Sequence, residues 1–157
     1  MGEVDLLIKI MDPIISMLRF VDTYQPILGE VYEGWDSMIE SLRTIILRSE
    51  CPEYETSLKA FFTTMQDILV SKWDKNCTPL HCLAHSLNPK YYNDKSLNGR
   101  PSRKFPHIKV EISQGRKDAL RQIFQDRKSL DELEDAFAEF SANTGRFARY
   151  ESIRDRG

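Results

Sequence analysis

Leu28-Gly29-Glu30-Val31-Tyr32-Glu33-Gly34-Trp35-Asp36-Ser37-Met38-Ile39-Glu40-Ser41-Leu42-Arg43-Thr44-Ile45 sets Leu28, Val31, Trp35, Met38, Leu42 and Ile45 at steps of three and four. That is the period of a helix with one apolar face, and it excludes the two-residue alternation of a half-buried strand. The same period continues outward in both directions. Upstream, a helix over 3–21 carries Leu7, Ile10, Met11, Ile14, Leu18 and Val21 along one face. Pro13 inside it removes a backbone donor, which predicts a kink or a restart there. Asp22 to Pro26 connects it to the second helix, over 27–48, and Cys51-Pro52 closes that one. Downstream, a third helix over 54–74 carries Leu58, Phe61, Phe62, Met65, Leu69 and Trp73.

Local signals place the remaining elements. Thr78-Pro79 reads as an N-cap followed by proline at the first helical position. The short helix this starts runs to Leu87, and Asn88-Pro89 ends it because the residue before proline avoids the helical region. From Lys90 to Pro106 the period is lost, and Asn98-Gly99 and Arg100-Pro101 are turn signals. It returns over 107–127 through Ile108, Ile112, Ala119, Leu120, Ile123 and Phe124. A last helix over 129–141 has Ser129 as N-cap with Glu132 three residues on, a capping box, and an apolar face of Leu130, Leu133, Phe137 and Phe140. The fold class expected is all-α. The chain reads as one helical domain over 1–157, an irregular bundle of about five or six helices, with a basic loop at 88–106 and an irregular tail at 142–157. Leu18, Trp35, Leu42, Phe62, Leu69, Leu87, Ile123, Phe124 and Phe137 are its expected core.

At 157 residues, with 41% hydrophobic and 29% charged, the composition is that of a globular chain, not a disordered or collagen-like one. Cys51, Cys77 and Cys82 cannot all pair within the chain and build no disulfide framework. The apolar stretch 6–21 is broken by Lys9, Asp12 and Arg19 and lacks the organisation of a signal peptide. No run approaches the ~18 apolar residues of a membrane span. An intracellular, reducing compartment is expected, with no membrane partner. Glu151 to Gly157 ends in charge without a closing element, which reads as a cut in a longer protein.

Few constellations point to chemistry. His81-Cys82-Leu83-Ala84-His85 puts two imidazoles one turn apart, with Cys77 one turn upstream, and thiolate with imidazole suits zinc. There is no second ligand pair at finger spacing and no glutamate after the first histidine, so the reading preferred is a small buried helix and no metal site. Asp131, Glu132, Glu134 and Asp135 fall on a solvated helix face. No Gly-rich phosphate loop or nucleophile elbow occurs, so no catalytic residue, cofactor or small-molecule substrate is indicated. Charge is uneven, however. Residues 1–75 hold 7 basic and 13 acidic groups, net −6, whereas residues 88–128 hold 11 basic and 4 acidic, net +7. Lys90, Lys95, Arg100, Arg103, Lys104 and Lys109 are the candidate nucleic-acid contacts, with Tyr91, Tyr92 and Phe105 interleaved. Such a stretch can track a phosphate backbone, or it can be a solvated loop balancing the acidic helices.

The stretch Leu83-Ala84-His85-Ser86-Leu87-Asn88-Pro89-Lys90-Tyr91 resembles a helix of plant hAT-type transposases, of the form hydrophobic–Ala–x–x–Leu–Asp/Asn–Pro–Arg/Lys–aromatic. Leu18-Arg19-Phe20-Val21-Asp22, Gly29-Glu30-Val31-Tyr32-Glu33-Gly34-Trp35-Asp36, Phe137-Ala138-Glu139-Phe140-Ser141 and Ile153-Arg154-Asp155-Arg156 are similar to segments of the same family, in the same order. The resemblance thus spans nearly the whole chain. In that family a helical insertion interrupts an RNase H-like core, and the three metal-binding acids lie outside the region matched here. The resemblance therefore implies a non-catalytic fragment of the insertion region, not an enzyme. Its parent would bind DNA, dimerise and reside in the nucleus. The other reading is an unrelated helical protein-interaction adaptor, with a protein partner or self-association.

Overall fold

A computed structural model describes residues 3–47, 55–92 and 104–148. Among the described residues there are six α-helices, three short 3-10 turns and no strand, an all-α fold. The chain divides into two compact units, residues 1–77 and 78–157.

The first unit holds α1 (Glu3–Val21), α2 (Val31–Leu47) and α3 (Glu55–Asn76). Helix α1 runs through Pro13 without a break. Proline removes one backbone donor, but Ile10 and Met17, buried on either side of it, fasten both halves to the same core. That core joins Ile10 and Met17 to Met38, Leu42 and Ile46 of α2, with Phe62, Met65 and Leu69 of α3 packed against it. Leu42 is fully buried. Gly34 lets α1 and α2 approach closely, since a Cβ there would stand 3.0 Å from Met17 Sδ. Trp73 clasps α3 onto α2, stacking on Trp35 at 5.1 Å and meeting Tyr32 edge-on at 5.3 Å. Such pairs add about 0.5–1.5 kcal/mol each beyond burial.

Helix α2 begins at Val31 and not at Ile27. Residues 28–30 form a turn, closed where the Glu30 and Val31 amides donate to the Ile27 carbonyl at 2.7 and 3.1 Å. Gly29, poor in helix propensity, sits inside that turn.

The second unit holds α4 (Pro79–Ser86), 3-10 turns at Pro89–Tyr91 and Pro106–Ile108, α5 (Val110–Ile123), α6 (Arg127–Ala142) and a 3-10 turn at Gly145–Phe147. Helices α4 and α5 cross at Gly115, where an added Cβ would stand 2.6 Å from both Cβ and Sγ of Cys82. The predicted helix 107–127 is two elements, the 3-10 turn at Pro106–Ile108 and α5, and α5 ends at Ile123 because the Phe124 backbone is extended. Helix α6 starts earlier than Ser129. Its N-cap is Asp126, whose carboxylate accepts the Ser129 amide at 2.7 Å, so Ser129 is the third residue of the helix. A carboxylate is a stronger acceptor for the helix's unpaired amides than a hydroxyl, and it also suits the positive end of the helix dipole.

Three of the expected core residues are exposed: Leu18 at 61%, Leu87 at 49% and Ile123 at 53%. Leu18 belongs to an outward stripe of α1, while Leu87 and Ile123 stand where α4 and α5 end. Leu42 and Phe137 are buried, and Trp35, Phe62, Leu69 and Phe124 are half-buried. The side chain of Leu58, most of the loop at 88–106 and the tail beyond Ala148 lie outside the described residues.

Candidate nucleic-acid interface

Of the six basic candidates, Lys95, Arg100 and Arg103 lie outside the described residues. Lys90, Lys104 and Lys109 are placed, all in the second unit. Lys90 lies in the 3-10 turn after α4, Lys104 is exposed beside Phe105, and Lys109 is the N-cap of α5. Asn88 organises the first of these sites, because its side chain accepts the Lys90 amide at 3.1 Å. The Lys90 ammonium stands 5.9 Å from the ring centre of Tyr91, which is itself buried against His85 at 4.3 Å.

What brings these positions together is a cluster of rings where the chain leaves and returns. Tyr92, Phe105 and His107 lie 5.7–6.2 Å apart in all three pairings, with their planes within 14° of parallel. Three mutually equidistant, parallel rings cannot form one column, so they share a partly side-by-side platform. The platform is fixed to three helices. Tyr92 Oη donates to the Ser86 carbonyl of α4 at 2.8 Å and its ring meets Phe140 of α6 edge-on at 4.9 Å. Ser113 Oγ of α5 donates to the His107 carbonyl at 2.9 Å. Tyr92 and Phe105 are among the interleaved aromatics visible in the sequence. His107 and Phe140 are not, and only the alternation Phe105-Pro106-His107 hints at the former. Partial burial lowers the His107 pKa, which favours the neutral ring near pH 7 and leaves the positive charge to the lysines.

The His–Cys cluster has other occupations. The Thr78 amide donates to His81 Nδ1 at 3.1 Å and Thr78 Oγ1 pairs with the same nitrogen at 2.9 Å, so His81 closes the α4 cap in the place a glutamate usually takes. Burial lowers its pKa, with the Thr78 backbone pulling the other way. Cys82 is packed into the α4–α5 crossing and His85 against Tyr91. Among the described residues no three His, Cys, Asp or Glu side chains gather as metal ligands would.

In the acidic run on α6, Asp131, Glu132 and Asp135 lie exposed on the solvated face, and Glu134 is engaged. Glu134 Oε2 accepts from Arg116 Nη1 at 3.0 Å, and the guanidinium lies 3.7 Å over the ring of Phe137. Arg116 is 4% exposed, and its Nε has no hydrogen-bond partner among the described residues. Beside this pair, a groove of about 660 Å³ is lined by Lys117, Arg121 and Arg127 with Asp131 and Glu134, charges of both signs. Arg121 pairs with Asp118 at 2.9 Å. No helix among the described residues is long and apolar enough to cross a membrane. Neither a family model, a curated protein nor a solved structure matches the chain.

Proposed function

We propose that the chain acts by contact and not by chemistry, as a non-catalytic helical module related to the insertion region of hAT-type transposases, with weak, sequence-indifferent DNA binding through its basic stretch. Nuclear residence goes with that reading. The observation that supports it best is the ring platform of Tyr92, Phe105 and His107. It draws the two ends of a strongly basic segment together, so Lys90 and Lys104 flank one neck instead of lying far apart along the chain. A cluster of cations gains from phosphate contact by releasing condensed counterions, which needs no base recognition. The +7 net charge of residues 88–128 supplies the field, and the −6 of residues 1–75 opposes it.

An anisotropy titration with labelled duplex DNA at low salt tests this. Binding should lie in the ~10⁻⁴–10⁻⁶ M range of non-specific contacts near physiological salt and tighten below it. Changing Arg100, Arg103 and Lys104 together to Ala should weaken it about tenfold or more. No binding, or binding indifferent to the triple change, returns the loop to a solvated connector and leaves the adaptor reading in its place.

A further inference from the structure

At the neck of the basic segment, the rings are divided between inside and outside. Tyr91, in the 3-10 turn after α4, is 6% exposed and packs on His85. Pro106, which opens the next 3-10 turn, is fully buried. The residues beside these two anchors are not buried with them. Tyr92 and Phe105 are half-buried, and His107 is exposed. Rings that served only to close the neck would gain most from full burial, because removing apolar area from water is what drives such packing. Here Tyr91 and Pro106 take the buried places, and three nearly parallel rings stay at the surface. Their positions are fixed from behind. Tyr92 Oη is spent on the Ser86 carbonyl at 2.8 Å, and the His107 carbonyl is held by Ser113 Oγ at 2.9 Å. Lys90 and Lys104 are exposed at the two ends of the same neck.

We infer that the ring platform is a stacking site for unpaired bases, so that the neck prefers single-stranded to base-paired DNA. The inference rests on the phosphate binding proposed above and names the form of DNA that the same site takes. In a duplex the bases are already stacked on one another, and the lysines meet only phosphate. The rings then contribute nothing beyond holding the neck together. A single strand can turn a base out of its own stack and lay it on an aromatic face, while the flanking phosphates meet the lysines. His107, the exposed ring of the three, offers the most open surface for this. Every base has a π-face, so the contact is tolerant of sequence. Cations alone cannot make this distinction, because counterion release follows the number of phosphates and not the pairing of bases.

Anisotropy titrations of the full chain at low salt test the inference with three labelled probes of about 15 nucleotides, within the span of one compact site. One is a thymidine strand, one an abasic strand of the same length, and one a duplex. The abasic strand keeps every phosphate and removes every base. The thymidine strand should bind about tenfold or more tighter than the abasic strand, and tighter than the duplex. Both single strands should share one slope against log salt, because stacking releases no counterions. His107→Ala and Phe105→Leu should each shrink the gap between the two strands by about threefold or more, with helical circular dichroism unchanged. His107→Phe should keep the gap, since it restores a stacking ring. Equal binding of thymidine and abasic strands overturns the inference and leaves the phosphate reading standing. A gap indifferent to both His107→Ala and Phe105→Leu overturns it too, because the bases would then be held elsewhere. Absence of binding to all three probes removes the phosphate reading, and the inference falls with it.

Discussion

Gly115 is a tight point in the second unit. A Cβ there would stand 2.6 Å from Cys82, whose own Cβ is fixed in place by the α4 backbone whatever its rotamer. Gly115→Ala gains about 1 kcal/mol of helix propensity. It also forces the α4–α5 crossing apart, and overpacking of this kind costs about 1–3 kcal/mol. The net expectation is a loss of stability in urea melts followed by circular dichroism, where an ordinary helix-surface glycine would show a gain. Arg116 is the second residue-scale constraint. Its charge is buried, tied to Glu134 and laid over Phe137. Glu134→Ala strands that charge. Since the Glu134 side chain is 39% exposed, the loss should fall below that of a fully buried pair, at about 2 kcal/mol. Arg116→Met should cost less than Glu134→Ala, because it removes the stranded charge along with its partner. Nothing in the sequence marks Arg116, one cation among many on a helix of low mean hydropathy. Its burial is a tertiary fact that periodicity does not carry.

The helices show which signals were legible. Thr78-Pro79 and Asn88-Pro89 bracket α4 because proline's constraints act within two residues, and the observed limits Pro79–Ser86 follow them. Ser129 and Asp126 offer competing caps three residues apart, and local chemistry alone ranks them only by acceptor strength. The consequence is measurable. The Ser129 amide bonded to Asp126 holds that carboxyl below its ordinary value. A depressed carboxylate contributes stability above about pH 4, where the unfolded group is already ionised, and loses it as pH falls through the folded value. Melting temperatures taken between about pH 5 and pH 2 should therefore fall less steeply for Asp126→Asn, which keeps an acceptor but does not titrate. Asp126→Ala should be less stable than either at neutral pH. Helix α1 shows the opposite case. Its apolar residues occupy both the core face and the outward seam, so the period identifies the helix yet cannot say that Ile10 and Met17 turn inward while Leu7 and Leu18 turn out.

At the scale of the molecule, the all-α class was legible because six amphipathic segments repeat one period and no alternation competes with it. The division at Cys77 was not, since α3 runs to Asn76 and α4 starts at Pro79 with only a short hinge of sequence between them. The basic stretch was legible as charge, but the platform that closes its neck was only half visible, through Tyr92 and Phe105. His107 and Phe140 join it by the packing of α5 and α6. Central to the account is the proposal that this neck binds phosphate. The most direct measurement is the slope of log affinity against log salt for duplex DNA, with Phe105→Ala beside the unaltered chain. Four phosphate contacts predict a slope of roughly −3 to −4, and loosening the ring platform should lower affinity without abolishing that slope. A slope near zero, or affinity unchanged by both Phe105→Ala and the triple Arg100, Arg103 and Lys104 change, would contradict it.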